Sequence, residues 1–227
     1  MKRVGSSIVT GCVIILIFAA CSTTMKHNLG YYPNDQVKEQ WTEIKDSSGV
    51  YVRHGKYLSW HQNGQERTVG EYSFGGKVGL WTTKDPNGRL AEWEEYEAGE
   101  RHGLSVSYHA NRNKKHEGKY VQGKREGVWR CWHENGMLKE DGSYVEGERH
   151  GMWVSWSQSG QKTEEIMYEQ GVADGCFTSW RENGLRWVEG EYKSGQKDGV
   201  WTTWDEMGMV VSEDHYEAGL LVDGDDL

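Results

Sequence analysis

Tyr72, Tyr96, Tyr120, Tyr144, Tyr168, Tyr192 and Tyr216 follow one another at steps of 24 residues without a slip. Gly55, Gly79, Gly103, Gly127, Gly151, Gly175 and Gly199 keep the same step, and so do Gly75, Gly99, Gly123, Gly147, Gly171, Gly195 and Gly219. Three columns in phase over this length require an architecture of like units, each burying its surface mainly against its neighbours. The composition fits such a thin structure: 12 Trp and 12 Tyr stand against 3 Phe, with 30 Gly and only 2 Pro. Trp and Tyr combine a large contact area with a polar tip, which suits half-exposed positions better than a dry globular centre.

Within each unit the local chemistry is that of a β-hairpin. A short aromatic run ("GLWTTK", "GVWRCW", "GMWVSW", "GVWTTW") is followed by a turn such as "PNG" or "ENG". A second extended run then ends at the Tyr column, and a glycine-bracketed turn such as "VEGERHG" leads into the next unit. Asn-Gly is compatible with a type I′ hairpin turn, and that turn is expected here. The fold class read from these features is all-β: an elongated, twisted antiparallel sheet of about seven 24-residue β-hairpin repeats, an open solenoid spanning residues 49–227. Two strands per unit at about 4.8 Å give some fourteen strands and a ribbon on the order of 65 Å.

Trp81, Trp129, Trp153 and Trp201 share one column with Tyr57 and Phe177; three residues on, Trp60, Trp132, Trp156, Trp180 and Trp204 share another with Tyr108. Residues three apart fall on opposite faces of a regular strand, so both faces of the sheet are expected to carry aromatic rows. An apolar column, Leu80, Leu104, Val128, Met152, Cys176 and Val200, precedes the first row.

"YVEGERHGMW", "YVQGKREGVW" and "YKSGQKDGVW" resemble MORN repeats (membrane occupation and recognition nexus), most closely the bacterial variant form in proteins often labelled antitoxin-like. The resemblance runs over roughly residues 49–219 and implies a β-hairpin solenoid used for binding or scaffolding, with no activity of its own. Lys84 departs from it in place of the second aromatic, Arg112 in place of the turn glycine and Ser105 in place of the first aromatic. The last two fall in one unit, so the ribbon is expected to be weakest around residues 103–118.

The N-terminus reads differently. Lys2 and Arg3 precede the apolar stretch "IVTGCVIILIFAA", which has the size of a secretory signal segment and is too short to favour a bilayer span. It ends "FAAC", similar to the lipobox of bacterial lipoproteins with Phe18 in place of the usual Leu, which implies cleavage after residue 20 and lipidation of Cys21; ordinary signal-peptidase cleavage near Ala20, with Cys21 incidental, is the alternative. Residues 1–20 are thus expected as a lipoprotein signal peptide, and 21–48 as the lipidated Cys with a polar tether. The implied location is the bacterial cell envelope, with the outer membrane as destination because Ser22 carries no retention signal of the Asp type. Loss of Lys2 and Arg3 takes the formal charge from −9 to −11. A chain this acidic repels phosphate backbones and anionic headgroups, so nucleic acid is excluded as a partner and membrane contact is expected through the lipid alone.

No residue set is arranged for catalysis. His54, His102 and His150 share a column but occur in alternate units, about 19 Å apart, whereas zinc ligands converge within roughly 2.3 Å of one ion. Cys131 and Cys176 lie two repeats apart, beyond the roughly 7 Å a disulfide tolerates. The glycine stretches lack the Lys-Ser/Thr ending of a phosphate loop. No enzyme activity, metal or cofactor is expected. The function read from the sequence is a protein-binding or scaffolding module of the envelope, contacting an unidentified envelope protein through Trp132, Trp156, Trp180 and Trp204. Stacking of a cell-wall glycan on the same row, and neutralisation of a toxin by an immunity or antitoxin-like protein, are the alternative readings.

Overall fold

The computed structural model of the chain describes residues 25–226, with side chains as far as Asp223. Residues 1–20, expected as a signal peptide, and Cys21 lie outside the described residues. The elements are β1 Lys26–Tyr31, β2 Val37–Lys45, β3 Tyr51–Arg53, β4 Gly55–Trp60, β5 Glu66–Ser73 and β6 Gly76–Lys84. Next come β7 Leu90–Glu97, β8 Glu100–Tyr108, β9 Lys114–Val121, β10 Lys124–Trp132, β11 Leu138–Val145 and β12 Glu148–Trp156. The last are β13 Lys162–Glu169, β14 Val172–Trp180, β15 Arg186–Lys193, β16 Gln196–Trp204, β17 Val210–Glu217 and β18 Leu220–Asp226. These strands form one open antiparallel sheet in chain order, with β3 and β4 end to end along β2. At about 4.8 Å per strand the sheet runs some 80 Å, longer than the sequence periodicity alone gives.

The extra length comes from residues 26–45, expected to be tether. They form β1 and β2, with Ile44 buried at 3% exposure. Glu39 of β2 accepts hydrogen bonds from Tyr57 (3.1 Å) and Arg53 (3.5 Å), and the Tyr32 hydroxyl donates to the Trp60 carbonyl at 2.8 Å. The segment caps the ribbon, and a cap lacks the period because it has only one neighbour to pack against.

The turns also differ from the expectation. Type I′ geometry, with two central residues at positive φ, occurs at the opposite edge: Glu146 (52°) with Gly147 (94°), and likewise Ala98 with Gly99 and Ser194 with Gly195. The Asn-Gly connections have positive φ at the glycine alone, as in Gly136 (86°) after Asn135. They are three-residue loops, a type I turn closed by a left-handed glycine and its bulge. Arg112 is forced to φ 77° in place of that glycine.

Both edges are stitched between units. Along the type I′ edge, Glu126 accepts the backbone amide of Glu146 and Asp174 that of Ser194, each at 3.0 Å. His54 Nδ1 accepts that of Phe74 at 3.3 Å, so the column shared by the repeat histidines holds turn-capping side chains. Along the other edge, Asn135 donates to the Gln158 carbonyl (2.6 Å), and His133 Nε2 lies 2.8 Å from the Trp156 carbonyl oxygen.

The core lies on one side of the sheet, here named the tyrosine face. Trp153 is 3% exposed, lies edge-to-face against Tyr144 (4.9 Å between ring centroids) and donates from its indole N–H to the Ser143 carbonyl at 3.1 Å. Its ring covers Gly142 of the preceding strand so closely that a Cβ there would fall inside the indole. Arg149 lies over the same ring with its guanidinium carbon 4.0 Å from the centroid. Trp81 on Gly70, Trp129 on Gly118 and Trp201 on Gly190 repeat the arrangement, with Lys77, Arg125 and Lys197 as the cations. A bulge makes it possible: Asp141 pairs with Val154 and Ser143 with His150, so that Gly142 alone faces residues 151–153.

Two units break this lock, and each breaks it on both sides. Where Glu94 replaces the glycine, Ser105 replaces the indole; where Ile166 replaces it, Phe177 does. In both the bulge slides by one residue, giving direct Glu94–Ser105 and Ile166–Phe177 pairs. The bulge glycines Gly103 and Gly175 then reach φ 109°, against 74° at Gly151.

Candidate functional site

The second Trp row stands on the reverse face, as expected for residues three apart. Lys114, Lys162 and Arg186 form ion pairs with Glu117, Glu165 and Glu189, whose side chains point away from the tyrosine face, and the same cations lie over Trp132 (5.6 Å), Trp180 (5.2 Å) and Trp204 (5.9 Å). Trp132, Trp156, Trp180 and Trp204 are all half-buried, so part of their ring area is already used by the fold. The indole most open to solvent is a different one, Trp187, at 48% exposure.

The surface that the fold leaves free is the apolar column beside that row. Leu80, Leu104, Val128 and Val200 are each about half exposed (54%, 49%, 51% and 54%), Met152 is 38% exposed, and Cys176 is also exposed. Each precedes a side chain committed to the tyrosine face, so strand alternation sends it to the reverse face. Cys176, Val200, Thr202 and Trp204 line one shallow groove of about 440 Å³ with Glu189, Glu191 and Asp198. Apolar column and Trp row therefore share a face. The column was visible in the sequence, but its exposure was not, because it depends on the bulge that leaves Met152 without a covering side chain while Trp153 turns inward.

The other concentration of chemistry lies on the tyrosine face at the unit that lacks its indole. Arg101 Nε sits 2.8 Å from Glu94 Oε1, and the Tyr96 hydroxyl donates to Glu94 Oε2 at 2.7 Å. Burial, and then the Glu94 carboxylate, push the Tyr96 hydroxyl up to about 12. Burial also raises Glu92, with Glu94 adding to it, and lowers Lys77 and His116. Ser107 Oγ lies 2.8 Å from His116 Nδ1, a nucleophile-and-base pair in outline. Yet Ser107 is 6% exposed and Ser105 1%, so neither hydroxyl is open to a substrate. The Ser105 hydroxyl has no hydrogen-bond partner among the described residues.

The sequence-derived residues fall apart spatially as their spacing requires. Cys131 and Cys176 are free thiols, and burial raises the Cys131 thiol. His102 faces Glu97 across its own turn (3.5 Å), whereas His150 faces Glu169 at the start of the next turn along the same edge (3.4 Å). Among the described residues no group of three or more His, Cys, Asp or Glu is placed to hold a metal ion. No described helix is long and apolar enough to cross a membrane.

The class defined by these features is a repeat protein built on a single-layer β-hairpin ribbon. Residues 125–146 match the profile of the MORN repeat variant, and the 24-residue register carries the same pattern into the flanking units. The chain thus contains MORN-type repeats. No curated protein matches it at a significant level. Among solved structures, it is similar to a chain of the TcdB2–TccC3–Cdc42 crystal structure at 11% identity, over 85% of this chain and 14% of that one, with a TM-score of 0.20. It is also similar to a protein of unknown function from Bacteroides fragilis at 6% identity, over 91% and 94% of the two chains, with a TM-score of 0.16. At these TM-scores neither likeness bears on function.

Proposed function

We propose that the chain is a non-enzymatic binding module of the bacterial cell envelope, anchored through lipidated Cys21 to the outer membrane, which docks a partner protein on its reverse face. The observation that carries the reading is the repeating column of exposed apolar side chains. Leu80, Leu104, Val128, Met152 and Val200 recur at one register on alternate strands of a single face, with Glu95, Lys119, Ser143, Met167 and His215 paired to them on the strands between. The face thus offers regularly spaced apolar contact points within a charged surface. Half-buried Trp132, Trp156, Trp180 and Trp204 border that column and supply flat, pre-organised area. The acidic groove at Glu189, Glu191 and Asp198 favours a partner surface that is basic around an apolar stripe.

The test is crosslinking in cells of the tagged full chain, followed by mass spectrometry. One protein partner is expected, and replacing Leu104, Val128 and Met152 by Ser should release it while the far-UV spectrum stays unchanged. Retention of the partner by that variant would remove the apolar column from the interface. Muropeptides in place of protein would transfer the site to a glycan reading centred on exposed Trp187.

A further inference from the structure

We propose that a second copy of this chain pairs with the outer edge of β1, giving a two-fold dimer in which two ribbons continue as one antiparallel sheet. Among the described residues β1 pairs on one side only, with β2, so its other side presents unpaired backbone donors and acceptors, a template for a further strand. Proteins commonly blunt such edges with charge, proline or a cover. The far edge of this sheet fits that rule, since β18 carries Asp223, Asp225 and Asp226. β1 is guarded by one charge only, Lys26 at its first residue: in a chain of formal charge −9 it reads Lys26-His27-Asn28-Leu29-Gly30-Tyr31, without a carboxylate or a proline. Leu29 and Tyr31 are 49% and 55% exposed.

Strand direction selects the partner edge. β1 and β18 run the same way, because successive strands alternate and β3 with β4 counts as one strand along β2. With like faces kept on one side, joining β18 to the β1 of another copy would be parallel, against every pairing in the sheet. Two β1 strands related by a two-fold axis normal to the sheet meet antiparallel with both faces continuous.

Side-chain alternation then fixes the register to within two residues. Directly opposed residues share a face, so the axis must pass through a residue and not between two. Centred on Leu29, it sets Leu29 against Leu29 of the second copy and His27 against Tyr31 of the second copy, twice. Leu29 pairs within its own chain with Gln40, and Gln40 with Leu58, which places these residues on the reverse face. On the tyrosine face Gly30 meets Asn28 of the second copy. A Cβ at Gly30 would collide with Glu39, the residue that caps the first aromatic column.

The measurement is multi-angle light scattering on the full chain in detergent. The expected mass is twice that of one chain. Leu29→Lys and Leu29→Glu each place like charges at the two-fold centre, and each should halve the mass with an unchanged far-UV spectrum. Mixing the two variants should restore the double mass by forming a mixed dimer. Leu221→Lys, on the far edge, should leave the dimer intact. A monomeric wild type, a dimer that persists in both Leu29 variants, a mixture that stays monomeric, or dissociation by Leu221→Lys alone would each overturn the proposal.

Discussion

A single glycine under each indole sets the spacing between two strands. Gly142 is the test position. Replacing it by Ala forces the Trp153 ring off its seat, with an expected loss of about 1–3 kcal/mol in denaturant unfolding. The chain itself shows the compensating solution in Ile166 with Phe177, so Gly142→Ile combined with Trp153→Phe should lose less than the sum of the two single changes. Additive losses would mean that the two columns do not act as a pair. His116 offers a second residue-scale test. Burial lowers its pKa in the folded state, so the neutral form is the folded one. Its contribution is fully present above the unfolded value of roughly 6.5 and is lost as pH falls through the lower folded value. The stability advantage of wild type over His116→Gln should therefore shrink between pH 7.5 and pH 5, measured by urea unfolding at each pH. Glu92 has the opposite sign, because a raised carboxyl favours folding below its unfolded value and disfavours it above, and it is common to both proteins in that comparison.

The β7–β8 pair is an inner hairpin that lacks the indole lock. It has Ser105 in place of an indole, its bulge is displaced, and one hydroxyl is left unmatched. Glu94→Gly with Ser105→Trp should rebuild the lock, with Arg101 moving from the carboxylate onto the new ring as Arg149 lies on Trp153. The expected gain is on the order of 1–2 kcal/mol in thermal or denaturant unfolding, whereas Ser105→Trp alone should destabilise because Glu94 occupies the ring's place. A stable single variant and an unimproved double variant would count against this account. At this scale much was legible beforehand. The Tyr and Gly columns give strands, turns and order, and the three-residue aromatic spacing gives two faces. The glycine eleven residues before each first-row Trp escaped notice because it is not invariant. Its signal is joint substitution with the aromatic, at Glu94 with Ser105 and at Ile166 with Phe177. Turn type was misread for a physical reason as well: Asn-Gly suits either of two geometries, and the bulges of the flanking strands decide between them. Residues 26–45 lack the period, so their alternation of polar with occasional apolar side chains could not be told from a tether until Glu39 met Tyr57.

For the whole molecule, the unbroken step of 24 residues predicts that length is adjustable in whole units. Deleting residues 127–150 joins Glu126 to Gly151 in phase and should leave a folded sheet whose denaturant m-value falls by roughly a tenth. Removing one residue fewer should put the later columns out of phase and abolish cooperative unfolding. The candidate binding face was only partly readable at this scale, since the sequence marks which positions are apolar but not which of them the bulges leave uncovered.

The stitches described above reach 20 to 23 residues along the chain, and the indole hydrogen bonds only 10. Antiparallel sheets usually depend on distant segments finding one another, and they fold slowly for that reason. Here no strand waits for a remote partner. Each hairpin can close on the one before it as soon as the next two dozen residues have emerged from a ribosome or a translocation pore. The ribbon is thus suited to assembly from one end, with the Glu39 cap laid down first and each new unit templated by a finished edge.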